Sequence, residues 1–209
     1  AVRMMYHHTD GQEYQLNLID TPGHVDFSYE VSRSLGACEG ALLVVDVTQG
    51  IQAQTLSNVY LALEHDLTLI PVVNKIDLPA ARPDWVALEI EQAFGFRRDE
   101  ILFVSAKEGD GILAVLQAVT ERIPPPTGRG DGPLRALVFD SAYDPYKGVV
   151  AYVRVFEGSL RRGDSLRLMG SGRNTETLGV GVFLPHLTQM DALSVGEVGY
   201  VETGLKNVR

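Results

Sequence analysis

A single cysteine, Cys38, occurs in the 209 residues. No disulfide can form within the chain, which suits a reducing cytosol. Long apolar runs are missing too: none reaches the roughly 18–20 residues that cross a bilayer. Ala1 to Asp10 lack the basic start and apolar stretch of a secretory signal. Basic charge is scarce. Lys and Arg number 18 against 27 Asp and Glu, a net charge of −9, which argues against a chain that grips nucleic acid across a broad basic face. Arg97-Arg98 and Arg161-Arg162 are small basic spots only. There is no initiator methionine, and Ala1 to Tyr6 read as the middle of a strand, so the chain is expected to begin inside a domain. What is present is ordinary for a globular protein: 45% hydrophobic and 22% charged residues. A chain of this length buries a good core as one large domain or two modest ones.

The two halves differ in texture. From Tyr14 to about Ile123, short apolar runs alternate with helical patterns. Tyr14–Asp20, Ala41–Val47, Leu67–Asn74 and Ile101–Ser105 read as strands. Within them, Leu42-Leu43-Val44-Val45 and Leu69-Ile70-Pro71-Val72-Val73 are apolar on both faces, as parallel strands buried between helix layers are. Asp26–Ala37, Gln54–Glu64, Pro83–Phe94 and Leu113–Arg122 read as helices. Leu56, Val59, Tyr60 and Leu63 define an apolar face in the second of these, and Val86, Ile90 and Ala93 in the third. Alternating strand and helix predicts a doubly wound α/β sheet with right-handed crossovers. Residues 124–132, prolines first and glycines after, read as a linker. Beyond it the helical period vanishes. Leu134–Ser141, Gly148–Glu157, Ser165–Met169, Thr175–Phe183 and Gly199–Thr203 read as short strands of a small all-β barrel. The expected domains are 1–123 and 133–209.

Three loops carry candidate chemistry, each placed directly after a strand, where open α/β sheets bind ligands. Asp20-Thr21-Pro22-Gly23-His24 comes first. An Asp at a strand end holds magnesium, usually through water, beside phosphates. Gly23 lets backbone approach a terminal phosphate, and a loop bonded only to that phosphate changes state when it leaves. Asn74-Lys75-Ile76-Asp77 comes second. Guanine presents two donors on one edge, and an ionised carboxylate, being acceptor-only, takes both. Adenine has no such pair, so Asp77 selects guanine. Asn74 would brace the loop, and Lys75 would lie along the base. Ser105-Ala106-Lys107 comes third, offering backbone N–H to the guanine carbonyl oxygen and Lys107 as a cover over the base. Each motif alone is weak. Their order and placement together point to a guanine nucleotide.

The stretch from Asp20 to Leu35 resembles the translational GTPases, the superfamily of elongation and initiation factors. Residues 51–56, 74–79, 123–126, 139–141, 144–150, 181–183 and 196–199 narrow the resemblance to the LepA, or elongation factor 4, family. It runs from about Tyr14 to Arg209. The resemblance implies a P-loop-type GTPase domain followed by a translation-factor β-barrel. It implies GTP or GDP and Mg2+ as cofactors, with Asp20 on the metal side. Gly23, Asn74, Lys75, Ile76, Asp77, Ser105, Ala106 and Lys107 would bind nucleotide. His24 would position the attacking water, with the ribosome's sarcin–ricin loop holding it in place, in keeping with a phosphoryl transfer that depends on positioning. The implied partners are the ribosome, including its small subunit, which the barrel and Arg161-Arg162 would face, and tRNA through further domains. No DNA partner and a monomer are implied. So is a cytoplasmic location with peripheral membrane association described for some relatives.

One departure stands out. No Gly-x-x-x-x-Gly-Lys-Ser/Thr stretch occurs in these residues. That loop supplies the backbone cradle, the phosphate lysine and a magnesium-binding hydroxyl. In the family it lies upstream on a central strand, so the sheet is expected to have a gap. The 209 residues alone are expected to hydrolyse no GTP at a useful rate. The competing readings are another translational GTPase, of the BipA or EF-G kind, and a module that binds guanine or ribosome without turnover.

Overall fold

The computed structural model describes residues 1–21 and 27–205. They divide into two compact units: His8–Gly11 with the described part of Pro22–Pro125, and Ala1–His7 with Gln12–Thr21 and Pro126–Arg209 as far as described. Strands β1 (Val2–His7) and β2 (Glu13–Leu18) form an antiparallel hairpin, in register from Val2↔Leu18 to His7↔Glu13. The hairpin belongs to the second unit, where Arg3 Nη2 lies 2.6 Å from Glu197 Oε1.

The first unit contains α1 (Ser28–Leu35), β3 (Gly40–Asp46), α2 (Ala53–Glu64), β4 (Thr68–Asn74), α3 (Pro83–Phe94), β5 (Leu102–Val104) and α4 (Ile112–Arg122). The three strands make a parallel sheet in the order β3-β4-β5. Helices cover both faces of the central strand β4, which is apolar accordingly, whereas Val44 of β3 is 56% exposed. On one face Leu43, Val45 and Val73 pack with Val59 of α2 and Val86 and Ile90 of α3. On the other, Ile70, Val72 and Val104 pack with Val115 and Ala118 of α4. Pro83 opens α3 in its first turn, and Gly95 at φ 76 closes it. The register sets Asp46 opposite Asn74, and Asn74 opposite Val104. The polar residues that end these strands therefore sit side by side at one edge.

Several expectations are corrected. Tyr14–Asp20 does not join the parallel sheet: among the described residues β2 pairs only with β1, across a tight turn where Gly11 takes φ 84. On α2, Val59 and Ala62 are buried, whereas Leu56, Tyr60 and Leu63 are exposed. Ala62 packs with Val31 and Leu35 of α1, joined by the half-buried Leu61, so the expected Leu56, Tyr60 and Leu63 do not form the face toward the neighbouring helix. On α3 the face ends in Phe94 rather than the exposed Ala93.

The second unit is rich in strands: β6 (Arg135–Asp144), β7 (Gly148–Glu157), β8 (Ser159–Arg161), β9 (Ser165–Arg167), β10 (Asn174–Glu176), β11 (Gly179–Leu184), β12 (His186–Met190), β13 (Ala192–Ser194) and β14 (Val198–Glu202). A five-stranded antiparallel sheet runs β12-β11-β14-β7-β6, and β13 pairs with β8 and β10 with β9. Val153, Val155, Leu160, Val180, Val182, Leu193 and Val201 form its core. The single strand expected over Thr175–Phe183 is two. β10 pairs with β9, then the chain changes partners: Thr177 N–H donates to Asp164 O, Leu178 N–H donates to Glu202 O, and β11 pairs with β12 and β14. Strands β8, β12 and β13 were not anticipated. Among the described residues no helix is long and apolar enough to cross a membrane.

Candidate nucleotide site

A groove of about 270 Å³ opens beside the carboxyl ends of β4 and β5, lined by Asn74, Lys75, Asp77, Leu78, Ala106 and Lys107. Two loops form it, and Asn74 ties them together. Its Oδ1 accepts the N–H of Lys75 at 2.7 Å and that of Ala106 at 3.0 Å. Ile76 N–H donates to Val104 O at 3.2 Å, and Leu78 N–H to Lys75 O at 3.1 Å. The turn is tight enough that Lys75 takes φ 70, a left-handed conformation that costs a side-chain-bearing residue about 1–2 kcal/mol. Such strain persists only where surrounding bonds over-determine it.

Asp77 is held from behind. Ser105 is fully buried, and its hydroxyl donates to Asp77 Oδ1 at 2.6 Å while accepting the Glu108 N–H at 3.2 Å. That hydroxyl first, then the backbone N–H of Asp77 itself and the positive charges of Lys107 and Lys75, keep the Asp77 carboxyl below its ordinary value of 3.8 against the opposing effect of burial. At neutral pH it is an acceptor-only group at the mouth of the groove. Lys107 is exposed, with Nζ 2.9 Å from Glu108 Oε1.

Asn74, Lys75, Asp77, Ala106 and Lys107 thus share one groove, with Ser105 fixing Asp77 from the core side. Ile76 packs against the hydrophobic core instead of lining the groove. The Ala106 N–H is taken by Asn74. Asp20 is exposed after β2. Gly23 and His24 lie outside the described residues. Among the described residues no group of three or more His, Cys, Asp or Glu side chains is arranged to hold a metal.

One participant escaped the sequence reading. Asp46, at the end of β3, lies 2.7 Å from Lys75 Nζ through Oδ2. Its Oδ1 accepts the N–H and hydroxyl of Thr48 at 2.8 and 2.7 Å. The bond from Lys75 comes first and those from Thr48 next in lowering the Asp46 carboxyl to about 2. The available signal was positional: a carboxylate closes a buried apolar strand, as Asn74 closes the next.

A parallel sheet with a polar groove at its carboxyl edge, in a chain whose other unit is β-rich, has the two-part plan of the translational GTPases. The family model of the Elongation factor Tu GTP binding domain matches residues 1–125, and that of Elongation factor Tu domain 2 matches residues 148–209; the chain belongs to the elongation factor Tu GTP-binding domain family. Among curated relatives it is 60% identical over 207 residues to Elongation factor 4 of Syntrophomonas wolfei subsp. wolfei, covering 99% of this chain and 35% of that protein. It is 57% identical over 209 residues to Elongation factor 4 of Clostridium tetani and to that of Thermobifida fusca, covering all of this chain and 35% and 34% of those proteins. The chain spans about a third of the length of the curated relatives it matches.

Proposed function

We propose that these residues are the base-reading half of the nucleotide site, together with a translation-factor β-unit, of a ribosome-dependent GTPase of the LepA kind. The observation that carries the reading is the Asn74–Asp77–Ser105 arrangement. An ionised carboxylate is fixed by a buried hydroxyl, and one amide oxygen locks the two loops that flank it. Guanine offers N1–H and its 2-amino group to Asp77, and adenine would leave those acceptors unpaired. The stems of Lys75 and Lys107 cover the ring. The relatives named Elongation factor 4, at 57–60% identity, favour this type over other translational GTPases.

Hydrolysis in this reading is water attack on the terminal phosphate of GTP, with Gly23 near that phosphate and His24 positioning the water once the ribosome's sarcin–ricin loop orients it. Asp20, a single exposed carboxylate at a strand end, fits a magnesium ion held through water, since magnesium keeps most of its waters and leans on substrate phosphates. That ion, when bound, neutralises phosphate charge. These 209 residues contain no phosphate-loop motif, so by themselves they turn over no GTP. Although the segment that carries Asp20 belongs to the β-rich unit, in sequence all three nucleotide motifs precede the linker, 124–132. The β-unit after it docks on the small ribosomal subunit, where Arg161 and Arg162 supply positive charge. The protein works in the cytoplasm.

The test is a titration of the full-length protein with fluorescent GDP, using unlabelled GDP and ADP as competitors. Displacement by GDP but not by ADP is expected. Equal displacement by ADP would remove the role given to Asp77, and ribosome-stimulated GTP turnover unchanged by His24→Ala would remove that of His24.

A further inference from the structure

Lys75 faces two demands at once. Its backbone is held left-handed, and its side chain lines the groove while 53% exposed. An exposed lysine ordinarily samples many rotamers and forfeits that freedom when a ligand fixes it. Here the freedom is already restricted. Asp46 sits opposite Asn74 across the sheet, one residue from Lys75, and its carboxylate holds Nζ at 2.7 Å.

Asp46 is itself anchored. Thr48 binds one carboxylate oxygen with N–H and hydroxyl. The Asp46 carbonyl accepts the N–H of Gln49 and of Gly50, at 3.1 and 2.9 Å. That turn is pinned to α3: Ile51 N–H donates to Glu89 Oε2 at 3.3 Å, and Gly50, at φ 67, lies so close to Glu89 and Trp85 that a Cβ would meet them. The chain of contacts runs from the helix through the turn to the carboxylate and on to the ammonium.

We propose that Asp46 is a positioning residue of the nucleotide site, anchoring the Lys75 ammonium so that the methylene stem stands as a ready-made wall for a guanine ring. The proposal rests on the reading of the groove as a guanine-nucleotide site. Asp46 touches no nucleotide. It acts through Lys75, and a Lys75→Met variant, which keeps an unbranched apolar stem and loses the ammonium, separates that action from any other.

The experiment measures the GDP affinity of the full-length protein and of its D46N, D46E, K75M and D46N/K75M variants. Asn keeps the oxygen that Thr48 uses and removes the charge that Lys75 uses. D46N is expected to weaken GDP about three- to tenfold, D46E to restore most of that loss, and D46N to add less than about twofold in the K75M background. An unchanged affinity in D46N overturns the proposal, as does an equal loss with and without the Lys75 ammonium, which would assign Asp46 to the Thr48 turn alone. Absence of GDP binding by the unsubstituted protein overturns the nucleotide reading itself, and the proposal with it. GDP binding with an unaffected D46N overturns the proposal alone.

Discussion

Each of the two units holds a lysine–carboxylate pair at 2.7 Å: Lys75–Asp46 in the parallel-sheet unit and Lys147–Glu202 in the β-rich one. Their exposures nearly match, 53% and 18% against 44% and 19%. By distance and burial they are the same interaction. Their settings differ. Lys147 follows a turn in which Asp144 Oδ1 accepts the N–H of Tyr146 and Lys147, and its ion pair ties that turn to β14. Lys75 sits on strained backbone beside a carboxylate with a lowered pKa, in a groove closed by a second loop. The remaining polar groups follow the same division. In the β-rich unit two of the buried ones bond the backbone: Arg154 Nε donates to Val155 O, and Thr203 Oγ1 donates to Val149 O. In the other unit, Asp46, Asn74, Asp77 and Ser105 serve each other's loops. Shared partners at strand ends, rather than an ion pair as such, distinguish a site from a brace.

The largest expected effect tests that distinction at its centre. Asp77→Ala removes both acceptors for guanine and is expected to weaken GDP by more than about a hundredfold. Asp77→Asn offers one acceptor and one donor. That suits xanthine, whose second carbonyl replaces the amino group, so the variant should prefer xanthosine over guanosine diphosphate in a competition titration. Acidity acts on the same group. The Asp77 pKa is lowered in the folded protein, chiefly by the Ser105 hydroxyl, so the ionised form prevails above the ordinary value and is lost as pH falls through the lower, folded one. GDP affinity should therefore hold from neutral pH to about pH 5 and fall only below the usual carboxylate range. A decline centred near pH 6 would point to a different group.

A second substitution breaks the comparison from the other side. A Cβ on Gly199 would collide with the Gly181 carbonyl oxygen of the adjacent strand and crowd Leu193. Backbone has no rotamer by which to yield, so Gly199→Ala is expected to destabilise the β-rich unit by about 2–4 kcal/mol in denaturant melts. GDP affinity, measured below the transition, should stay within about twofold. Asn74→Ala comes next in size. It leaves the N–H groups of Lys75 and Ala106 without their acceptor, costs about 1–2 kcal/mol, and unlocks the two loops. Unlike Gly199→Ala, it should weaken GDP by about tenfold or more. Loss of stability with full affinity would show that the two loops hold their places without Asn74.

How much of this was legible in the sequence follows from the range of each determinant. Strand β4 was readable because burial on both faces leaves no polar position in Ile70–Val73, and β3 because Leu42–Val45 is an unbroken apolar run, although Val44 is exposed. The groove was readable because its residues directly follow strands. Asp46 was not, because its meeting with Lys75 spans 29 positions and depends on the parallel register. The buried face of α2 was misjudged because it is set by how closely α1 approaches, which admits Ala62 and leaves Tyr60 outside. The break between β10 and β11 was hidden because Thr177 and Leu178 suit a strand. It is the change of hydrogen-bonding partner, from Asp164 to Glu202, that interrupts it. Strands β8 and β13, at three residues each, are too short to show a period.

The smallest expected effect is the most discriminating, because it concerns the twin of the pair at the site. Lys147→Met removes the ammonium from Glu202 and keeps most of the stem. An exposed pair of this kind contributes about 0.2–1 kcal/mol, and less in salt. The Lys147 pKa is raised, chiefly by its bond to Glu202. The pair's contribution is therefore complete below the ordinary lysine value of 10.5 and disappears as pH rises through the higher, folded one. Melts between pH 6 and 9 should show a small, pH-independent loss in the variant, and that loss should shrink above about pH 10.5 as the unsubstituted protein gives up the same charge. GDP affinity should not move at all. If Lys147→Met weakened GDP as much as Asp46→Asn does, the matched lengths and exposures of the two pairs would reflect matched roles. The strained backbone at Lys75 would then no longer explain why only one of them is assigned to the proposed nucleotide site.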